Sequence, residues 1–224
     1  MTDTAPPGPL VLVGGGEWLE GNDFDSELLA RAGGEVLVLP TAAAYERPDR
    51  AVTTAVNWFA GLGGKATGLM VLNRRDAEDP ENAAVVRGSR FVYLSGGSPL
   101  HLRSVLKGSA VYAALVDAWR AGAIVAASSA GAMVLTDPMV DPRGGALTVG
   151  LGLVEQMAVV PHYDEERLSH LRRTFDLAPA GLPVTCIAER TALIREPDGQ
   201  WRRAGAGTIA VFVDGLVRSL DVLP

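Results

Sequence analysis

The feature that most constrains the fold is a series of short, continuously apolar runs separated by longer amphipathic stretches. The runs predict strands at residues 10–13, 35–40, 67–72, 91–94 and 123–127. Apolar residues at helical spacing predict helices at residues 49–62, 82–87, 100–106 and 109–121. Runs without a polar face fit strands that are covered on both sides, as in a parallel sheet. We therefore expect an α/β fold with a mostly parallel central sheet flanked by helices.

The last third of the chain has a different pattern. It contains five short strand-like segments, at residues 184–188, 191–195, 200–203, 208–213 and 216–220. Turn sequences at Pro197-Asp198-Gly199 and Asp214-Gly215 separate two pairs of these segments. Because such turns join antiparallel strands, we expect C-terminal antiparallel hairpins appended to the sheet. No linker interrupts the chain, so we predict one domain over residues 1–224.

Composition excludes several classes of partner. Of the 224 residues, 48% are apolar and 21% are charged, which is typical of a globular protein rather than a disordered or fibrous one. The net charge of −6 and the lack of a long basic run argue against nucleic acid and membrane surfaces as partners. A single cysteine, Cys186, cannot form an internal disulfide and fits a reducing compartment. Residues 1–7 lack the pattern of a secretion signal and no apolar run reaches the roughly 20 residues of a membrane span, so we expect a cytoplasmic protein.

The strongest chemical signal is the segment Ala127-Ser128-Ser129-Ala130-Gly131-Ala132, which directly follows an apolar strand and precedes a predicted helix. A sharp strand-to-helix turn exposes a serine hydroxyl, and the next backbone N–H can face a developing oxyanion. Such a turn needs small neighbours, and Ser129 has alanine or glycine at positions −2, +1, +2 and +3. Ser128 is a competing nucleophile, although Gly131 then falls at the wrong offset. The non-catalytic alternative is a helix start in which one of the two serines is the N-cap.

A nucleophilic serine needs a base, and the chain has three histidines, His101, His162 and His170. His162 follows the apolar run 157–161 and therefore lies where a predicted strand ends. Ligand sites in open α/β sheets lie at that edge, which favours His162 as the base. His101 and His170 lie in predicted helices, where a solvated or packed side chain is the simpler interpretation.

Two glycine-rich loops also follow predicted strands, at residues 14–17 and 95–98. Backbone can approach a substrate closely only where no side chain intervenes, so either loop could supply an oxyanion N–H or contact the substrate. The loop at 14–17 could also hold a phosphate, and a plain tight turn is the alternative for both. The candidate substrate-binding residues in these loops are Gly15, Gly16, Gly96 and Ser98. The scattered histidines, the single cysteine and the sparse aspartates predict no metal site.

Taken together, these segments resemble the cyanophycinase and dipeptidase E (aspartyl dipeptidase) family of serine peptidases. The fold of that family is similar to the flavodoxin-like fold of class I glutamine amidotransferases. The resemblance extends over nearly the whole chain and rests on the segments Gly14-Gly15-Gly16, Leu39-Pro40-Thr41-Ala42-Ala43, Tyr93-Leu94-Ser95-Gly96-Gly97, Ser129-Ala130-Gly131-Ala132, Pro161-His162-Tyr163 and Ile187-Ala188-Glu189-Arg190-Thr191-Ala192-Leu193. The serine segment is the most specific of these.

The resemblance implies a role for each candidate residue. Ser129 would be the nucleophile and His162 the general base, with the backbone N–H groups of Gly97 and Ala130 as the oxyanion hole. These roles need no cofactor.

The third member of the triad differs within the family. The cyanophycinase branch points to Glu189, whereas the dipeptidase branch has an aspartate between the serine and the histidine, where Asp137 or Asp141 could serve. We favour Glu189, because the Thr-Ala-Leu that follows and the hairpins after it also resemble the cyanophycinase branch.

The chain departs from cyanophycinases at two places. It has Ser98-Pro99 and Val160-Pro161 where they have Asp-Gln, after the paired glycines and before the histidine. Losing polar partners at a polar site changes selectivity by orders of magnitude, which argues against cyanophycin as the substrate.

The predicted function is therefore a serine hydrolase that cleaves a small peptide or amide, as an exopeptidase or dipeptidase, through an acyl-enzyme on Ser129. A non-catalytic binding or scaffold protein on the same fold is the alternative. A homodimer is one assembly that the sequence allows.

Overall fold

A seven-stranded sheet with strand order β13-β12-β1-β5-β4-β2-β3 forms the centre of the fold. The computed structural model describes residues 6–224, apart from the side chain of Arg167, so residues 1–5 of the segment predicted to lack a secretion signal lie outside it. Five neighbouring strands of the sheet are mutually parallel: β1 (Leu10–Val13), β2 (Glu35–Leu39), β3 (Lys65–Gly68), β4 (Phe91–Leu94) and β5 (Ile124–Ser128). The expectation of a mostly parallel central sheet is confirmed.

The two faces of this sheet explain why its strands are continuously apolar. In β1, Leu10 and Leu12 pack into one hydrophobic cluster, while Val11 and Val13 pack into a second cluster on the other face. Side chains alternate between the faces of a strand, and both faces here are covered by helices. A polar residue would therefore be buried at any position of such a strand.

The helices cover the sheet on both sides. Those of the described residues are α1 (Phe24–Ala32), α2 (Pro48–Gly61), α3 (Arg74–Glu78), α4 (Pro80–Arg87), α5 (Pro99–Leu106), α6 (Ala110–Arg120), α7 (Ala130–Leu135) and α8 (Arg172–Leu177). Helices α2, α4, α5 and α6 match the predicted ones to within two residues, whereas α1 and α3 have no predicted counterpart. None of the helices in the described part of the chain is long and apolar enough to span a bilayer.

The third strand is where the prediction from the sequence was wrong. It was expected at residues 67–72, but β3 ends at Gly68. The apolar run continues because Leu69 packs against the core and Val71 is fully buried within it, after the chain has left the sheet. Burial in a turn gives the same apolar pattern as burial in a strand, so periodicity alone could not place this end.

Both predicted hairpins are present at the C-terminal end. Strand β12 (Thr191–Arg195) pairs antiparallel with β1 and with β13 (Trp201–Gly205), so the first hairpin extends the central sheet. The second hairpin, β14 (Ile209–Val213) and β15 (Leu216–Arg218), belongs to a separate four-stranded sheet. The other strands of that sheet are β10 (Ala158–Val160) and β11 (Val184–Ile187).

Two short pairs of strands and three 3-10 turns are the other elements of the described residues. The strand pairs are β6 (Thr136–Asp137) with β9 (Val154–Glu155), and β7 (Met139–Val140) with β8 (Leu147–Thr148). The 3-10 turns are Thr41–Ala43, Glu165–Leu171 and Leu220–Val222. Because β1, β5 and β4 are adjacent and parallel, the loops after them meet at one edge of the central sheet.

Candidate active site

Ser129 lies in a sharp turn between β5 and α7. Its φ of 49° and ψ of −107° are values that L-residues rarely adopt, so the surrounding contacts must hold the turn. The Ser129 N–H donates to the carbonyl of Val13 at 2.9 Å, and a Cβ added to Gly131 would lie 3.0 Å from the Cβ of Ala127. The hydroxyl of Ser129 makes no capping hydrogen bond to α7. Ser129 thus occupies the N-cap position of α7, but its hydroxyl does not cap the helix.

The Ser129 hydroxyl points at an imidazole that is held by a carboxylate. Ser129 Oγ lies 2.7 Å from Nε2 of His162, and Nδ1 of His162 lies 2.8 Å from Oε1 of Glu189. Because an ionised carboxylate only accepts hydrogen bonds, Nδ1 carries the proton, and Nε2 accepts from the serine. The His162 and Glu189 side chains are about half exposed, at 49% and 57%. The line of three groups is thus open to solvent from one side.

The two aspartates offered as alternatives to Glu189 have other partners. Asp137 accepts the N–H of Gly150 at 3.0 Å. Asp141 pairs with Arg143 at 2.6 Å, and the Arg143 hydrogen bonds lower the pKa of Asp141 to about 2. Among the described residues, Glu189 is the carboxylate that bonds to His162.

The first glycine loop, residues 14–17, packs directly against the imidazole ring of His162. A Cβ added to Gly15, whose φ is 119°, would lie 2.3 Å from Cε1 of His162. The Gly14 carbonyl accepts the N–H of His162 at 2.7 Å, and the Gly15 carbonyl accepts the N–H of Arg190 at the same distance. Gly16 lies against the side chain of Arg190. These contacts position the histidine and the Glu189 segment; a direct contact of Gly15 or Gly16 with substrate stays a prediction.

The second glycine loop packs beside the serine. Gly97 has a φ of 137°, and a Cβ there would lie 2.4 Å from the carbonyl oxygen of Ala42. The Gly96 N–H donates to Glu17, and the Ser98 hydroxyl accepts the N–H of His101 as the N-cap of α5. Gly97 lines the cavity next to the serine, whereas Gly96 and Ser98 are absent from its described lining. Their predicted contact with substrate is not tested by this arrangement.

Glu17 is the residue that reasoning from the sequence missed. Its Oε1 accepts the Gly96 N–H at 2.8 Å, and its Oε2 accepts the hydroxyl of Ser128 at 2.7 Å. The competing serine is therefore bonded to Glu17, whereas the bond to His162 is made by Ser129. The only signal in the sequence was the position of Glu17 directly after the glycine run.

A cavity of about 400 Å³ opens beside Ser129 and His162. Gly97 and Ala130, the predicted oxyanion donors, both line it. Most of its other walls are apolar: Pro99, Met133, Val140, Pro142, Val160, Pro161 and Leu171. Its polar walls include Asp141, Thr174 and His170. The third histidine, His101, is outside this lining and contacts the carbonyl of Leu72 at 2.9 Å.

A larger hollow, of about 660 Å³, lies elsewhere and is lined by Asp137 and Pro224 among others. Its described lining contains neither Ser129 nor His162, so its size does not make it the site of the chemistry. No group of three or more histidine, cysteine or acidic side chains suited to hold a metal ion occurs in the part of the chain that the structure describes.

A strained serine at a strand-to-helix turn, with an imidazole and a carboxylate in line on an α/β fold, defines the class of α/β serine hydrolases. The sequence model of peptidase family S51 matches residues 10–200, so the chain belongs to this family and is a serine-type peptidase. The family expected from the motifs is confirmed.

Relatives with cyanophycinase names agree with this placement. The chain is 27% identical to the cyanophycinase of Synechococcus elongatus over 220 residues, which cover 91% of this chain and 67% of that protein. It is 24% identical to the cyanophycinase of Trichormus variabilis over 217 residues, or 90% of this chain and 72% of that one.

Two solved structures share the architecture. A peptidase from an acI-B1 Actinobacterium superposes with a TM-score of 0.82 at 28% identity, covering 96% of this chain and 94% of that one. A protein assigned as peptidase E from Listeria monocytogenes EGD-e gives a TM-score of 0.64 at 18% identity, over 92% of this chain and 98% of that one. The second likeness concerns the fold alone.

Proposed function

We propose that this peptidase cleaves short peptides, as an exopeptidase or dipeptidase, through an acyl-enzyme on Ser129. The observation that carries the proposal is the unbroken line from the Ser129 hydroxyl through His162 to Glu189, with both contacts shorter than 3 Å. Fold likeness alone would not support a mechanism, because one fold serves many functions.

The steps follow from this line of groups. Ser129 Oγ attacks the scissile carbonyl carbon while its proton passes to Nε2 of His162, and Glu189 stabilises the resulting imidazolium. The tetrahedral intermediate collapses when His162 returns the proton to the leaving amine, which breaks the peptide bond and leaves the acyl group on Ser129. Water then attacks the ester, again with His162 as the base, and releases the acid product.

The oxyanion would form between the backbone N–H groups of Gly97 and Ala130. Both residues line the cavity next to Ser129, and Ala130 is the first residue of α7. Backbone donors in such a position stabilise the charge that appears only as the carbonyl becomes tetrahedral.

The cavity favours a substrate with an uncharged, apolar side chain next to the scissile bond. Pro99 and the Val160-Pro161 pair, which replace polar residues of cyanophycinases, lie in its wall together with Met133 and Leu171. Asp141 in the same wall is already paired with Arg143, so it offers an aspartyl carboxylate no partner. Burying a side chain the size of leucine is worth about 1.5–3 kcal/mol, or roughly 10- to 150-fold in selectivity.

Labelling and a substrate panel test the proposal. A fluorophosphonate should label Ser129, as mapped by peptide mass spectrometry, and Ser129→Ala should abolish labelling. Ser104→Ala, which alters an exposed serine on α5, is the matched control and should label like the wild type. Dipeptides with leucyl or methionyl first residues should be hydrolysed faster than aspartyl or β-aspartyl ones.

A folded wild type that neither labels nor hydrolyses any member of the panel would contradict the proposal and favour the non-catalytic alternative. Labelling with a preference for aspartyl dipeptides would contradict only the substrate class. A homodimer, a cytoplasmic location and the lack of nucleic-acid binding remain predictions from the sequence, and sedimentation of the purified protein checks the first of them.

A further inference from the structure

We infer that Glu17 is a positioning residue of the active site. Its carboxylate fixes the second glycine loop, which carries the proposed oxyanion donor Gly97, relative to the turn that carries Ser129. The inference rests on the proposed function, since it concerns Ser129 as the nucleophile and Gly97 as an oxyanion donor. Glu17 touches neither His162 nor Glu189 by any described hydrogen bond, so its effect must pass through its two partners.

The two partners of Glu17 come from the ends of different strands. Gly96 follows β4, and Ser128 is the last residue of β5, while Glu17 itself lies in the loop after β1. These three strands are neighbours in the order β1-β5-β4. One carboxylate, with Oε1 on the Gly96 N–H and Oε2 on the Ser128 hydroxyl, therefore ties three strand ends together.

Each partner is the residue directly before a group of the proposed mechanism. Gly96 precedes Gly97, and a bond to the Gly96 N–H fixes the plane of the preceding peptide and so limits where the Gly97 N–H can point. Ser128 precedes Ser129, whose strained backbone persists only if its surroundings over-determine it. Moving either donor or nucleophile by about 1 Å costs on the order of 100-fold in rate.

The packing around the carboxylate leaves little space for another arrangement. A Cβ added to Gly96 would lie 3.0 Å from Oε1 of Glu17 and 3.4 Å from Cβ of Ser129, so the carboxylate and the nucleophile both lie close to the bare Cα of Gly96. Ser128 is fully buried, and its hydroxyl needs an acceptor or donor there. Glu17 supplies the acceptor for this competing hydroxyl.

The test compares Glu17→Ala and Glu17→Gln with Glu20→Ala, a change of an exposed carboxylate in the same loop. For Glu17→Ala we expect kcat on a hydrolysed dipeptide to fall about 100-fold with KM changed less than about 3-fold, and labelling of Ser129 to slow to a similar extent. Glu17→Gln should recover part of the loss, because its amide oxygen accepts from Gly96 and its amide nitrogen can donate to Ser128. Glu20→Ala should match the wild type in all three measurements.

Amide hydrogen exchange separates this inference from the proposed function. Loss of Glu17 should speed exchange at Gly96 and Gly97 whether or not the protein is active. If a fluorophosphonate never labels the wild-type protein, the catalytic role of Ser129 is refuted. If amide exchange at Gly96 and Gly97 is unchanged in Glu17→Ala, the claim that Glu17 holds this loop is refuted. A folded Glu17→Ala variant with wild-type kcat and labelling also overturns the inference. If Glu17→Ala does not fold, the Glu17→Gln variant decides between the two roles. A lower kcat of this variant with unchanged KM supports a positioning role. A wild-type kcat with a lower Tm shows that Glu17 contributes only to stability and overturns the inference.

Discussion

Gly15 provides a direct test of whether the position of the His162 ring governs activity. In the Gly15→Ala variant the new methyl carbon would lie 2.3 Å from Cε1 and 2.6 Å from Nδ1 of His162. Ordinary contacts begin near 3.4 Å, so the ring has to retreat by about 1.1 Å, the difference of the two distances. The backbone of His162 cannot follow freely, because its N–H bonds to the carbonyl of Gly14. The ring must therefore tilt away from Ser129 or Glu189.

The expected size of the effect has two parts. Displacing a catalytic group by about 1 Å lowers kcat on the order of 100-fold. Separately, an alanine at a φ of 119° is strained and lowers the free energy of unfolding by about 1–3 kcal/mol. The two parts can be separated with Gly122→Ala, since Gly122 has a φ of 100° but no atom within 4 Å of an added Cβ. It shares the strain of Gly15→Ala without the contact to His162.

The assay combines steady-state kinetics, the rate of fluorophosphonate labelling at Ser129 and thermal unfolding. Gly15→Ala should lose both activity and labelling, whereas Gly122→Ala should lose stability only. A folded Gly15→Ala protein with wild-type kcat and labelling would refute the argument that the His162 ring needs a glycine at position 15 to reach its active position. Equal loss of activity in both variants would assign the effect to general destabilisation.

Three further predictions concern the triad, a buried carboxyl group and the cavity. Glu189→Gln should lower kcat by about 10²- to 10⁴-fold because Nδ1 of the histidine loses its charged partner, while Asp137→Asn should stay within about 3-fold; kinetics on the same dipeptide decide between them. Burial raises the pKa of Asp25 to about 7; the nearby charge of Glu17 adds to this rise, and a hydrogen bond from Trp58 opposes it. The folded state therefore keeps a proton on Asp25 that the unfolded chain releases near the ordinary pKa of 3.8. Stability should fall between about pH 4 and pH 7, by up to about 4 kcal/mol at 1.36 kcal/mol per unit, and level off above; urea unfolding of Asp25→Asn should lack this slope. Leu171→Ala should lower kcat/KM for a leucyl dipeptide about 5- to 10-fold relative to an alanyl one, and an equal change for both would contradict the apolar wall.

The serine turn was predictable because its requirements are local. A hydroxyl on a crowded turn needs alanine or glycine on both sides, and a Cβ added to Gly131 would lie only 3.0 Å from the Cβ of Ala127. The end of β3 was not predictable in this way. Leu69 and Val71 are apolar because they are packed or buried after the strand has ended, and an apolar run has the same appearance in either setting.

By itself, the sequence determined the layered α/β architecture and the serine turn. Hydrophobic periodicity and steric crowding act between residues that are close in the chain, so local sequence patterns are enough to predict these features. Only the tertiary structure decided which carboxylate faces His162, why Gly15 must lack a side chain, and that Glu17 links the ends of three strands. The antiparallel pairing of β12 with β1, in which Ala192 lies opposite Val13, brings the Glu189 segment beside the first glycine loop. Contacts between segments so distant in sequence depend on strand order, which short-range patterns do not encode.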